Sequence, residues 1–526
     1  VGGKEAAEFI ASRILKGHTA KGDIYAPSQC DERDLVALKR EAAKKFGLSE
    51  YPKNSEILAA IPEGKRTKEI ILLLRKRPMR TLSGVTPVAL MVRPEGSCRW
   101  KCIYCPFTGK APKSYTGEEP AALRARQSGF DAGEQVRTRL RHFSETGHPT
   151  DKCEAIVMGG TFLGMGRGYK RGFIKSMYEG FNCSASRTLG EAKKKNEKAK
   201  HRVVGLTVET RPDLCGKGEI REMLGYGATR VELGVQHPSE RIYKLVGRGH
   251  GVKEVVEATA LLKDSAFKVG YHLMPGLPGS DGKKDVGMVK KIFSDSRFRP
   301  DMLKIYPTLV MPGTELYGMW ERGEYEPYSS EKAAEVIAEM YRHIPPYVRV
   351  MRVMRDIPSP EIGAGVRKSN LRELVERELR ERGIKGEEIR GREIKGVRFP
   401  GGEAELKKIE YKASGGKEVF LSYEWEGKLI GFLRLRIPHM PFMEEIAKDA
   451  GLVRELHVYG QEERVGGRGK SQHRSFGTKL LSEAERIASE GFGCRKMVVI
   501  SGVGAREYYY KFGYTGEGPY VSKKLK

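Results

Sequence analysis

The chain reads as an α/β protein: a partial (βα) barrel followed by a smaller mixed α/β domain, with a basic helical module in front. Three observations predict this. Between about 76 and 355, short β-branched runs alternate with helical stretches, the rhythm of a parallel sheet or partial barrel. From about 401 the strands lie close enough in sequence to pair antiparallel. Residues 1–75 instead repeat apolar groups at helical spacing, among them Ala6, Ala7, Phe9, Ile10, Ile14 and Leu15. The divisions that follow are a helical module at 1–75, the barrel at 76–360, a charged linker or adapter at 361–400 and the last domain at 401–526.

Lysine and arginine number 95 against 68 aspartates and glutamates, a formal charge of +27. A polyanion is the obvious partner, and a generally basic surface the bland alternative. In the first module Lys16, Lys39, Arg40, Lys44 and Lys45 supply positive charge, and Arg75, Lys76 and Arg77 follow it. A small basic module ahead of a larger domain suits a grip on nucleic acid, while the same face would also serve as a solvated cap. The charged stretch from Lys193 to His201 weighs equally as RNA contact and as plain solvated helix. Further on, Arg349, Arg352 and Arg355 recur every third residue. Strand alternation puts Arg349 and Arg355 on one face and Arg352 on the other, and whichever face the barrel mouth would hold phosphates.

The barrel strands are predicted at Val85–Val92, Ala155–Met158, Val203–Glu209, Arg230–Leu233, Lys268–Leu273 and Met302–Tyr306. In such sheets the chemistry gathers at the C-terminal strand ends. After the first strand come Cys98, Cys102 and Cys105, at spacing C-x3-C-x2-C. Three thiolates on one loop can hold three irons of a [4Fe-4S] cluster, leaving the fourth iron open, where electron-transfer clusters use a fourth cysteine. Tyr104 would shield the cluster edge. A structural zinc knuckle is the alternative, and no fourth Cys or His completes one nearby. Gly159 and Gly160 end the second strand and allow close backbone approach. Glu209 and Arg211 close the third, Glu232 and Gln236 flank the fourth, and His272, Met274, Pro275, Gly276 and Gly279 end the fifth. Each alone is weak; their recurrence at successive strand ends is stronger.

The other cysteines, Cys30, Cys153, Cys183, Cys215 and Cys494, are scattered, which disfavours a disulfide scaffold and favours a reducing, cytoplasmic setting. No apolar run reaches bilayer length. No secretory pattern opens the chain, and a start at Val1 rather than Met suggests a trimmed N-terminus.

In the last domain, strands are predicted at Leu406–Tyr411, Glu418–Trp425, Lys428–Ile437, Leu452–Val458 and Met497–Ile500. The run Gln472, His473, Arg474, Ser475, Phe476, Gly477 and Thr478 opens a helix reaching Ser489, and a strand, tight loop and helix N-terminus make an anion site. A helix over Ala505–Phe512 carries Tyr508 and Tyr509, which by themselves read as ordinary core and interface aromatics.

The cysteine spacing resembles the radical S-adenosylmethionine (SAM) enzymes, whose open iron chelates SAM. The Gln472–Thr478 turn resembles that of the GNAT acyltransferases, which binds the pyrophosphate of acetyl-CoA. Together with the strings Arg80–Val85, Ser114–Pro120, Gly205–Asp213, Arg355–Ser359 and Val453–Gly460, the whole chain resembles the family of the Elongator catalytic subunit in its stand-alone archaeal-like form. The resemblance implies a [4Fe-4S] cluster on Cys98, Cys102 and Cys105. It implies SAM near Gly159, Gly160, Glu209, Arg211, Gln236 and His272, acetyl-CoA on the Gln472–Thr478 turn, and Tyr508 or Tyr509 beside the CoA sulfur. It also implies tRNA as substrate and an electron donor as partner. A SAM-derived 5′-deoxyadenosyl radical would activate the acetyl methyl group for addition to carbon 5 of the wobble uridine, leaving a carboxymethyl group. The chain departs from the family pattern at Arg99-Trp100-Lys101, where Pro-His-Gly and one more residue are usual, at Phe107-Thr108, where a glycine pair is usual, and at Ser475, where the turn has its first glycine. Many members carry zinc-binding cysteines in the adapter; this chain has no cysteine between Cys215 and Cys494, so no zinc is expected there. The competing readings are a protein lysine acetyltransferase with a structural iron–sulfur domain, and a non-catalytic RNA-binding scaffold.

Overall fold

The architecture is that of a computed structural model, which describes residues 2–17, 30–76, 81, 84–95, 98–394, 403–459 and 474–526, with the backbone alone at 474 and 475. Arg77, Gln472 and His473 lie outside the described residues, as do Arg80, Leu82 and Ser83.

Seven parallel strands form one curled sheet: β1 (Thr86–Met91), β2 (Lys152–Met158), β3 (Arg202–Thr210), β4 (Arg230–Gln236), β5 (Lys268–Leu273), β6 (Met302–Ile305) and β7 (Arg349–Arg352). They pair in strict sequence order, β1 to β7. Each crossover carries helix, as parallel pairing requires. β1 and β7 are the two edges and do not pair with each other, so the sheet is a half-barrel with an open seam. Val88, Leu90, Val157, Val208, Val231 and Val269 are fully buried and pack against the surrounding helices. Positions facing the hollow, among them Glu209, Glu232, His272 and Lys304, are mostly polar.

The six predicted strands are present. β7 is additional: the arginine run forms a strand only from Arg349 to Arg352, so Arg355 lies beyond it and alternation does not govern its direction. Arg352 and Arg355 both line the hollow, whereas Arg349 turns away to Glu393 and to the hydroxyl of Tyr459 at 2.7 Å.

The second sheet comprises β8 (Glu405–Ala413), β9 (Gly416–Trp425), β10 (Lys428–Ile437), β11 (Ala450–Val458), β12 (Lys496–Val499), β13 (Thr515–Glu517) and β14 (Tyr520–Lys524), in the order β13-β14-β12-β11-β10-β9-β8. Only β11 and β12 are parallel. The hairpin β13–β14 was not foreseen, and the helix Arg474–Arg486 continues as a π turn over Ile487–Gly491. The predicted helix over 505–512 is a 3-10 turn, Val503–Ala505, followed by one short helix, Arg506–Tyr510.

The segment expected as a linker or small adapter is packed. Helix Leu371–Glu381 lies along helix Ser330–Tyr341, burying Leu371 and Val375. The short helix Ile389–Arg392 is capped by Glu388, a buried carboxylate that accepts from the amides of Arg390 and Gly391 and, at 2.9 Å, from Val350 of β7. Four N-terminal helices, Gly2–Leu15, Glu32–Lys45, Asn54–Ala60 and Lys68–Leu74, share a separate core around Ile10, Leu38, Ile57 and Ile70.

A buried ionic cluster joins the two sheets. Lys263, Asp264 and Asp301 come from the barrel, and Glu418, Arg434, Arg436 and Arg454 from β9, β10 and β11. The three arginines are at most 1% exposed. Asp301 and Glu418 each meet three cations, and Asp264 accepts from Arg436 and from the amides of His439 and Met440, the condition under which buried charge is tolerated. The contact is also close at the backbone: a Cβ on Gly502 would lie 2.1 Å from the carbonyl oxygen of Val204 in β3.

Candidate active site

A cavity of about 980 Å³ fills the half-barrel. Cys98, Cys102 and Cys105 line one end of it, on the loop that follows β1. Several contacts fix this loop. Ile103 N–H donates to Val246 O at 3.2 Å, and Ile103 O accepts from Leu316 at 2.9 Å. Lys113 Nζ donates to the carbonyls of Cys98 and Trp100, both at 2.9 Å. Trp100 lies against Gly249, where a Cβ would be 1.9 Å from its ring, and Arg211 stacks on the indole at 4.0 Å. Burial pushes the Cys105 thiol up to about 12, with Cys102 and Cys98 adding to the shift. Arg248 reaches the sulfur of Cys102 at 3.7 Å.

The middle of the cavity holds one connected group. Glu232 Oε2 accepts from His272 Nε2 at 3.0 Å and from Lys304 Nζ. Lys304 also lies 3.5 Å from Glu209, whose other oxygen accepts from Tyr115 at 2.8 Å. Strand register explains the grouping: Glu209 is opposite Glu232 across β3–β4, and His272 opposite Lys304 across β5–β6. Burial alone would raise the Glu232 carboxyl, yet Lys304, His272 and Arg230 hold it well below the usual carboxylate range. Burial works equally against the Lys304 charge, and Glu232, Tyr306 and Glu209 hold its value above that of an ordinary lysine. Both groups are therefore charged at neutral pH.

The glycines earn their positions by conformation. Gly159 has φ +142° and a Cβ there would meet Val92 at 2.4 Å; Gly160 has φ +59°. Gln236 adopts φ +64° without being glycine, a strained backbone at a cavity wall. Its Oε1, with Arg248 Nε and Arg211 Nη1, is buried without a hydrogen-bond partner. Such orphaned atoms facing a cavity, beside three soft thiols on one loop, fit an iron–sulfur cluster with a polar organic ligand. Arg211 is otherwise occupied by Asp213 at 2.9 Å and Arg248 O at 2.7 Å, so it braces the cysteine loop. Tyr104 lines the cavity beside the cysteines.

In the second sheet, β11 and β12 pair only over Ala450–Val453 and Lys496–Val499, and β11 continues unpaired on that side to Val458. The start of helix Arg474–Arg486 lies at this gap, with Gly477 near Val458. Tyr508 faces the same turn: a Cβ on Gly477 would lie 2.7 Å from its hydroxyl, and the hydroxyl hydrogen-bonds Thr478. Tyr509 does not reach the turn; it is buried in the core against Tyr514. Phe476 packs on Tyr423.

The basic candidates of the first module divide. Lys39 is tied to Asn54 at 2.5 Å and Arg75 to Gly147 O at 2.7 Å, so both also hold structure. Lys45 lies over the Phe9 ring at 4.4 Å. Lys16, Arg40, Lys44 and Lys76 are exposed, and Arg40 and Lys44 border a shallow cleft with Tyr51 and Lys53. In the lysine-rich stretch, Lys193 donates to Gly225 O at 2.7 Å, and Glu197 and Lys198 pair with Arg506 and Glu507, so this face packs on the second domain.

Sequence reasoning missed Lys304, Arg248, Tyr115 and Tyr306. The signals were a lysine inside the apolar run Met302–Ile305 and an arginine between two glycines, Gly247 and Gly249.

Family models match in the same order. The ELP3 N-terminal domain matches residues 4–82, the Radical SAM superfamily 94–290, the Radical_SAM C-terminal domain 300–381 and the Acetyltransferase (GNAT) family 390–514. Fold and site together define a radical SAM protein fused to a GNAT acetyltransferase fold. The chain is 48% identical over 513 residues to the tRNA uridine(34) acetyltransferase of Methanocaldococcus jannaschii, covering 94% of each. It is 42% identical over 529 residues to Elongator complex protein 3 of Mus musculus, covering 97% of this chain and 96% of that one. The solved structure of Methanocaldococcus infernus Elp3 with an N-terminal deletion matches at TM-score 0.75 and 45% identity, over 84% of this chain and all of that one. The chain belongs to the Elongator complex protein 3 family.

Proposed function

We propose that this protein is a tRNA uridine(34) acetyltransferase that builds a carboxymethyl group on carbon 5 of the wobble uridine from acetyl-CoA. The observation that carries the reading is the fixed union of two chemistries. A cavity walled by three thiols is joined through a buried ionic cluster to a sheet that opens at a GNAT-type turn. When bound, the cluster and SAM supply a 5′-deoxyadenosyl radical. The chain's own residues do the rest. Cys98, Cys102 and Cys105 would hold the irons, and Gly160 and Gln236 admit the polar end of SAM. Glu209, Glu232 and Lys304 keep a fixed, largely buried charge pattern, and charges held in place this way act more strongly than in bulk water. The helix start at Gly477 and Thr478 would receive the CoA pyrophosphate, and the Tyr508 hydroxyl can return a proton to the departing thiolate. A one-electron donor and a cytoplasmic setting complete the proposal; among the described residues no helix is long and apolar enough to cross a membrane.

The test is anaerobic reconstitution with iron and sulfide, then incubation with SAM, reductant, acetyl-CoA and tRNA. Formation of 5′-deoxyadenosine and carboxymethyluridine at position 34, both lost in Cys102→Ala, supports the reading. A cluster-loaded protein that yields neither product rejects it.

A further inference from the structure

The cavity is lined in part by arginines that make no direct ion pair. Arg355, Arg372 and Arg390 all line it, from the segment after β7 and from the two helices of the adapter. Each is held in place by a backbone carbonyl: Arg355 by Ser114 O, Arg372 by Val350 O at 3.1 Å with a further bond to Tyr341, and Arg390 by Met351 O at 3.0 Å. Among the described residues none of the three forms an ion pair. Neighbouring Arg352 is paired with Asp356, and Arg349 with Glu393. Burial, followed by the nearby charges of Arg372 and Arg349, lowers the Arg390 value below that of an ordinary arginine, and the carboxylates of Glu393 and Glu388 offset this only in part. A guanidinium tethered by one N–H to a carbonyl keeps its remaining donors in a fixed plane, the arrangement that suits a phosphate.

The position adds meaning. β7 is an edge strand, and the cavity is lined by β1 on one side of the seam and β7 on the other. A base that is to react inside the barrel must leave its stack and enter, while its sugar–phosphate backbone stays at the opening. The phosphates on either side of that base then lie at the rim, where positioning contacts are needed.

We infer that Arg355, Arg372 and Arg390 form a phosphodiester clamp at the β1/β7 seam, holding the RNA backbone on both sides of the nucleotide inserted into the barrel. This rests on the tRNA reading above. It gives the adapter a direct part in substrate binding. Phosphates of CoA share the same chemistry, and the test separates the two sources.

The experiment measures binding of an anticodon stem-loop at several salt concentrations, by fluorescence anisotropy, to the full-length protein. The Arg372→Gln/Arg390→Gln pair is expected to weaken binding about tenfold. It is also expected to flatten the slope of log K against log salt by about 1.4, at about 0.7 per single-stranded phosphate contact. The Arg372→Lys/Arg390→Lys pair should keep most of the slope. In wild-type protein, neutral methylphosphonates at the two phosphates flanking position 34 should reproduce the loss, while the same change in the stem of the loop should not. In the glutamine pair the flanking methylphosphonates should add only the smaller share left to Arg355. This wild-type measurement stands even where the variants fold poorly. An unchanged slope in the folded glutamine pair, or no effect of the flanking methylphosphonates, overturns the inference. So does a loss of acetyl-CoA affinity in that pair with RNA binding intact, which would assign the arginines to CoA. These readouts need no turnover, so they are independent of whether modified uridine is formed.

Discussion

Asp301 receives both ends of the Arg454 guanidinium across the junction of the two sheets, with Nη1 to Oδ2 at 2.7 Å and Nη2 to Oδ1 at 2.6 Å. Neither side chain is reached by water. Lys263 and Arg434 crowd the same carboxylate, so its charge is shared by the cations of two domains.

Removing that carboxylate should be costly. Asp301→Ala leaves Arg454 and Lys263 short of a partner, and breaking a buried pair from one side costs about 3–5 kcal/mol. Chemical denaturation should show a loss of this size, with the barrel and the second sheet losing stability together. A change under about 1 kcal/mol, on the scale of an exposed ion pair, would contradict the role given to the cluster.

Acid should attack the same place. Burial opposes the Asp301 charge, but Arg454 and Lys263 hold its carboxyl well below the ordinary value. Glu418 is lowered for the same reasons. Carboxyls depressed in the folded state contribute stability above their unfolded values, near 4, and lose it progressively as pH falls below them. Denaturation midpoints should therefore drop steeply below about pH 4 in wild type and less steeply in an Asp301→Asn/Arg454→Met pair.

Lys304 should matter to reaction more than to fold. Lys304→Met removes the charge between Glu209 and Glu232, and product formation should fall about a hundredfold or more, as when one positioned polar group is lost. Iron content after reconstitution should match wild type, because Lys304 touches no cysteine. Equal activity would remove Lys304 from the site.

The cysteine loop should depend on Trp100. Gly249→Ala introduces a methyl where the indole lies, at a residue with φ +76°. The ring must move, and its contact with Arg211 goes with it. Iron and sulfide bound per chain should fall while far-UV circular dichroism is unchanged; full loading would show that the loop needs no such brace.

Tyr508 and Tyr509 should separate. Tyr508→Phe keeps the ring packing and removes the hydroxyl near Gly477, so acetyl-CoA should still bind by calorimetry while thiol release slows. Tyr509→Phe should change neither, since its ring sits in the core. The reverse pattern would reassign the proton donor.

Much of this was legible from sequence, for identifiable reasons. The three cysteines are neighbours in the chain, so spacing alone exposed them. Strands β1 to β6 are apolar and β-branched enough to stand out. β7 was hidden because Arg349 and Arg352 stand at its two ends, and β13 because it is three residues long. Lys304 and Arg248 were missed because their partners, Glu232 and Cys102, lie 72 and 146 positions away. Sequence left the segment open between linker and adapter because its apolar residues are few, yet Leu371, Val375 and Ile389 are all buried.

The strict β1-to-β7 order has a consequence for how the chain is made. Each barrel strand pairs with the one before it, so the half-barrel can assemble stepwise as it leaves the ribosome. Asp264, Lys263 and Asp301 are then in place before residues 418–454 have been synthesised. Until β9, β10 and β11 arrive, the nascent barrel presents a charged face to water that is later sealed. A chain released early would stay soluble on that side, and the last domain docks by replacing water with arginines.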